Sequence, residues 1–187
     1  DTTTVTDIDG NVYQVVKIGD QVWMAEDLKT TRFSNGDKIQ TTCPPTLDIS
    51  KADKPIYQWA WNGLECEVIE HGRFYTWFVA GDDRNVCPAG WHVPSDNEWS
   101  VLISHVGGST LVGGTTGGTA LKDSSNWNQS GNKNSVGFSV RGDGYRDDLG
   151  PFDLRLEATH YWTSTWDPSV NTNGNLYPAV YLSLIHI

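Results

Sequence analysis

Asn85-Val86-Cys87-Pro88-Ala89-Gly90-Trp91-His92-Val93-Pro94-Ser95-Asp96-Asn97-Glu98-Trp99 decides how the chain is read. Its first half is loop chemistry, a cysteine, two prolines and a glycine around an aromatic. Its second half opens a helix. Ser95 and Glu98 stand at capping-box spacing, so each side chain can satisfy a backbone N–H at the helix start. Trp99, Leu102, Ile103 and Val106 follow at helical spacing and form one apolar stripe. Gly107-Gly108 closes the helix. The spacing predicts a helix over 95–106.

Upstream, Val5 to Val22 reads as a β-hairpin that turns at Asp9-Gly10-Asn11. A second turn at Gly19-Asp20 leads into Gln21-Val22-Trp23-Met24. Asp7-x-Asp9-Gly10-Asn11 superficially resembles a calcium loop, but the full pattern with Glu at its twelfth position is absent. A plain hairpin turn is the better reading. Residues 34–56 are polar and rich in turn formers and read as a surface excursion. The aromatic-dense run Tyr57-Gln58-Trp59-Ala60-Trp61 reads as packing over the core. Residues 74–80 predict a short helical turn.

Downstream, the paired glycines of 107–118 lack both the Lys-Ser/Thr of a phosphate loop and a G-x-G-x-x-G, so they read as a connection. A second short helix is expected over 116–122. From Ser135 on, the chain reads as all-β. Gly137-Phe138-Ser139-Val140-Arg141-Gly142 alternates with period two, and further strands are expected at 161–166 and 176–181.

The chain has 187 residues, enough for one domain that buries about 70% of its unfolded surface. Its hydrophobic share is only 37%, and nine Trp and seven Tyr compensate because each buried aromatic removes a large area from water. The formal net charge of −10 repels phosphate backbones and anionic lipid, which argues against nucleic-acid binding. No apolar run approaches the length of a membrane span. The start at Asp1, in a Thr-rich stretch, fits a processed N-terminus. Three cysteines are an awkward count for an exported protein. Cys43 and Cys66 could bridge, closing a loop of about 23 residues for roughly 3 kcal/mol. No C-x-x-C and no His cluster suggests a metal.

Further pieces complete a family pattern. G-R-F-Y-T-W-x-x-A at 72–80 precedes V-C-P-A-G-W-H-V-P-S-D-N-E-W, and Trp23-Met24-Ala25-Glu26-Asp27-Leu28, Ala120-Leu121-Lys122 with Trp127, Val136-Gly137-Phe138-Ser139, Gly144-Tyr145-Arg146 and Tyr161-Trp162-Thr163-Ser164-Thr165 take their places around them. Together, over roughly residues 5 to 182, they resemble the Fibrobacter succinogenes major paralogous domain, common in secreted proteins and lipoproteins of Bacteroidetes and Fibrobacteres. More distantly, P-S-D-N-E-W is similar to the R-L-P-T-E-A-E-W element of formylglycine-generating enzymes. Both resemblances imply an α+β, C-type-lectin-like fold, with two short helices on a twisted, mainly antiparallel sheet. They also imply an extracellular or outer-membrane-anchored location, compatible with a lipid anchor upstream.

In that family a cysteine placed like Cys87 commonly pairs with one on a later closing strand, which this sequence does not contain. Leu182-Ser183-Leu184-Ile185-His186-Ile187 looks like the translation of a sequencing-library adapter on a metagenomic fragment. The domain is therefore read over 1–182, with 183–187 as an adapter-derived tail lacking the final strand.

Catalysis finds little support. Asp82-Asp83 and Asp147-Asp148 are adjacent pairs, and neighbours on an extended chain point to opposite faces. His71, His92, His105 and His160 are scattered, and no Ser sits in a nucleophile elbow. His92 is read as a hydrogen-bonding group before the helix. The cysteine pair of formylglycine-generating enzymes lies late in their chains, and here no cysteine follows Cys87. No catalytic residue, metal or cofactor is expected. The alternatives are an enzyme related to those oxidases and a hypervariable receptor-type protein.

Binding is the favoured reading, by a non-catalytic exported or cell-surface adhesion module that takes a glycan or an extracellular protein. Lectin-like folds recognise ligands through late loops and strands, which here hold Tyr145, Arg146, Asp148, Trp166, Asp167, Asn171, Asn173, Asn175 and Tyr177. Aromatics beside Asn and Asp can stack on a sugar face and hydrogen-bond its hydroxyls. Trp162, in mid-strand, reads as core. E-P-N, Q-P-D and W-N-D, the signatures of calcium-bridged sugar sites, are absent.

Overall fold

The computed structural model describes residues 3–107, 115–128, 130–166 and 179–183. It is mixed α/β, built from short helices and small antiparallel sheets.

Strands β1 (Thr4–Thr6), β2 (Val12–Ile18) and β3 (Gln21–Met24) form a three-stranded antiparallel sheet. Val16 pairs with Trp23 and Ile18 with Gln21. The hairpin turn is built by Asp7, whose Oδ1 accepts from the backbone N–H groups of Asp9 and Asn11 while Oδ2 accepts from Asn11 Nδ2 and the Tyr13 hydroxyl. Asp9 in turn accepts from Thr31 and Arg32. Protein N–H and O–H groups thus take the lone pairs that a cation would need, and the calcium-like spacing is that of a self-capped turn.

Next come β4 (Gln58–Trp59), α1 (Val68–His71), β5 (Phe74–Tyr75) and α2 (Trp77–Ala80). β4 pairs with β5. The helix read from the opening sequence is α3 (Asp96–His105), and both halves of its capping box are present. His92 Nε2 lies 2.9 Å from Glu98 Oε1, the pre-helix role expected of it. α4 spans Thr115–Leu121.

β6 (Tyr145–Arg146) pairs with β7 (Phe152–Asp153), and β8 (His160–Trp166) with β9 (Ala179–Ser183). Ser183, assigned to the tail from sequence, pairs with His160. Residues 184–187 lie outside the described residues.

Two expectations need correction. In place of one sheet, the described strands form four small ones. Residues 137–142 also form no strand. Gly137 and Ser139 take φ of +74° and +61°, the backbone is pinned by Asn134 side-chain bonds to Ser139, and only an isolated bridge joins Val140 to Lys122. The period-two alternation is that of a twisted loop delivering Phe138 and Val140 to the interior.

Two apolar clusters carry the fold. Ile18, Trp23, Trp99, Leu102, Leu121, Trp127, Phe138 and Val140 form the larger, with Trp23 and Trp99 ring centroids 4.8 Å apart and tilted by 36°. Phe33, Ile39, Val79 and Val86 form the smaller. Side chains of both line a cleft of about 1680 Å³.

Candidate functional site

The cleft wall is assembled from distant segments. Asp27 follows β3, His71 ends α1, Asp143 precedes β6, and Tyr161 lies in β8; all four line the cleft. His71 and Asp143 are 8% and 6% exposed. Their side chains meet with Nδ1 and Oδ1 2.5 Å apart. On the far side of the ring, Arg155 Nη2 lies 2.7 Å from His71 Nε2 and 2.6 Å from Glu67 Oε2. Arginine only donates, so Nε2 accepts and the Nδ1 proton goes to Asp143.

Asp143 Oδ2 receives no N–H or hydroxyl donor among the described residues. The Asp27 carboxyl lies within hydrogen-bonding reach of Asp143, and Tyr161 donates to Asp27. Two carboxyl groups face each other only with a proton between them. Burial, then the adjacent Asp143, push Asp27 well above the ordinary carboxylate range. Asp143 is thus met by His71, itself backed by Arg155, from one side and by Asp27, beside Tyr161, from the other.

Two glycines make this convergence possible. Gly72 has φ of +63° and ψ of −154°, a region essentially restricted to glycine, and a Cβ there would lie 2.5 Å from Asp27 Cβ. Gly144 has φ of +75°, and a Cβ there would lie 2.2 Å from Asp153 O. Each follows directly on a member of the His71–Asp143 pair.

Of the residues expected to bind, Tyr145, Arg146 and Asp148 border this cleft. The Tyr145 ring lies 5.1 Å from His160, a residue whose imidazole burial holds below its usual value. Arg146 is committed to the fold. Its guanidinium stacks 3.9 Å from the Trp59 ring centroid and donates to the carbonyls of Pro45, Leu47 and Asp147. Asp147 and Asp148 are not splayed as an extended chain would require. A turn closed by Gly150 N–H on Asp147 O brings their carboxyls together, and burial followed by this contact raises Asp148.

Trp166 stands apart, 50% exposed and 5.0 Å from Trp77. Trp162, read as core, is only half buried and lines the cleft, its Nε1 donating to Tyr75 O. Asp167, Asn171, Asn173, Asn175 and Tyr177 lie outside the described residues.

Sequence reasoning missed Asp27, His71, Asp143 and Tyr161 as a group. The one available signal was that Asp27, Gly72 and Tyr161 all sit inside the quoted motifs. The cysteines are three free thiols. Cys43 and Cys66 are exposed, whereas burial pushes Cys87 up to about 12. Among the described residues no group of three His, Cys, Asp or Glu could hold a metal, and no helix is long and apolar enough to cross a membrane.

Fold and site together define a mixed α/β domain of short elements around a cleft with an acid pair in its wall. The sequence pattern of the Fibrobacter succinogenes major domain matches residues 16–180, and the chain belongs to that family. No curated protein and no solved structure matches it.

Proposed function

We propose that this is a non-catalytic binding or adhesion module of the cell exterior, which takes a glycan or an extracellular protein in the cleft bordered by the 140–166 region. The observation that carries the reading is the cleft itself. It exceeds the roughly 300–1,000 Å³ of an ordinary small-molecule site, which suits an extended ligand, and Tyr75, Trp77, Trp91, Tyr145 and Trp162 offer aromatic surface within it. The fold is read as C-type-lectin-like. Packing of α3 against β8 is compatible with that reading, and a crystal structure superposed on lectin-like domains tests it.

The function is tested by screening the protein against a glycan array and a panel of extracellular proteins. Saturable binding that falls at least tenfold in Tyr145→Ala is expected. No binding in either format overturns the reading, and so does turnover of a captured ligand. Catalysis is the second reading, favoured by the Asp27–Asp143 pair, since carboxyls sharing a proton are also an acid–base device. Turnover abolished by Asp143→Asn would establish it.

A further inference from the structure

Among the described residues, Trp166 is the one Phe, Tyr or Trp side chain left exposed, at 50%. It is not isolated. Its ring centroid lies 5.0 Å from that of Trp77, tilted by 47°, and Trp77 meets Phe78 edge-on at 5.7 Å. Trp77 and Phe78 line the cleft, whereas Trp166 lies beyond its lining. The three rings carry aromatic surface from the cleft wall out to the solvent-facing end of β8. The fold holds them in place. Trp77 Nε1 donates to the Thr163 carbonyl and Trp162 Nε1 to the Tyr75 carbonyl, so two indoles staple β8 to segment 75–77 in both directions. Against the Trp77 ring lies Gly81, where a Cβ would come within 3.0 Å of Cη2 and Cζ2. β8 is fastened again by Ser164 N–H on the Pro94 carbonyl and by Asp96 N–H on the Thr165 hydroxyl. A surface fixed in advance loses little freedom when a ligand arrives.

What this surface can bind follows from what it offers. The Trp77 and Trp162 N–H groups are engaged by backbone carbonyls, so these rings present π faces and no donor. Along β8, Thr163 faces inward at 1% exposure, while Ser164 and Trp166 are exposed. Alternation on a strand places those two on one side, a hydroxyl next to the indole. A protein hot spot surrounds its tryptophan with contacts that exclude water, and an exposed serine is a poor member of such a ring. Flat C–H faces edged by hydroxyls are the better complement to aromatic faces beside a hydroxyl, and that is the chemistry of a pyranose. A run of rings matches several pyranoses joined in a chain, each with its own C–H face.

We infer that Trp166, Trp77 and Phe78 form a stacking platform that carries an oligosaccharide chain from the outer end of β8 into the cleft. This rests on the binding reading above and specifies the ligand class and the surface that takes it.

The test labels the full chain with 5-fluorotryptophan and titrates it with hexasaccharides of glucose, mannose and galactose. Fluorine NMR follows the indoles, with the Trp166 and Trp77 signals assigned through Trp166→Phe and Trp77→Phe. At least one hexasaccharide should shift both signals. Trp166→Ala should weaken its binding about tenfold with melting unchanged, since the ring is half exposed, and Trp166→Tyr, which keeps a stacking face, should retain most of the affinity. Sugar binding that leaves the Trp166 signal unmoved, or that is indifferent to Trp166→Ala, overturns the inference but keeps the binding reading. A chain that binds an extracellular protein and none of the hexasaccharides does the same. A chain that binds neither sugar nor protein loses both.

Discussion

Gly72 shows how one residue without a side chain can set a site. It joins His71 to Arg73 in a conformation that other residues adopt only under strain, and its missing Cβ is the space into which Asp27 packs. Gly72→Ala should cost about 1–3 kcal/mol from the backbone alone, and more once Asp27 is displaced. Thermal melting would read the loss. If the alanine variant melts with the parent, Gly72 does not hold His71 and Asp27 together. Asp143 is constrained from both ends, by the His71 ring and by Gly144 pressed against Asp153.

At the scale of elements, α3 was legible because its signals are local. Cap, apolar stripe and closing glycine lie within thirteen residues, 95 to 107, and each acts on its own neighbours. Ser95 Oγ accepts from Glu98 N–H while Glu98 Oε2 accepts from Ser95 N–H. Ser95→Ala should therefore cost about 0.5–2 kcal/mol, a fall of a few degrees in Tm for a chain of this size, and Thr at that position should restore most of it.

The 137–142 segment was misread for the opposite reason. Its alternation is a real burial pattern, but left-handed residues and a side-chain clamp from Asn134 produce it in place of sheet pairing. The acid pair was not legible as a pair. Asp27 and Asp143 are 116 positions apart, and although Asp27 lies in one quoted motif and Asp143 directly precedes another, nothing in either motif says that the two carboxyls meet. Asp147 and Asp148 failed likewise, since a tight turn reverses what extended geometry implies for adjacent side chains.

For the whole molecule, the Asp27 carboxyl links folding to pH. Asp27 is held well above the ordinary carboxylate value of 3.8, so between that value and its own the folded chain binds a proton that the unfolded chain releases. Its contribution to stability is complete below 3.8 and is lost as pH rises through the folded value. The carboxyls of Asp9, Glu26, Asp82, Glu98 and Asp123 are held low by their hydrogen-bond donors and act in the opposite sense, losing their stabilisation on acidification. Asp27→Asn keeps a donor toward Asp143 and removes the upper effect. Its stability relative to the parent should climb as pH rises above 3.8, by up to about 1.4 kcal/mol per pH unit, and level off once the folded value is passed. A pH-independent difference would show that Asp27 does not retain its proton in the folded state. The tilted Trp23–Trp99 pair carries a consequence of another kind. Indoles held this near and out of parallel share their electronic excitation, so the folded chain should display a bisignate circular-dichroism band belonging to the pair, an optical gauge of the spacing between two rings.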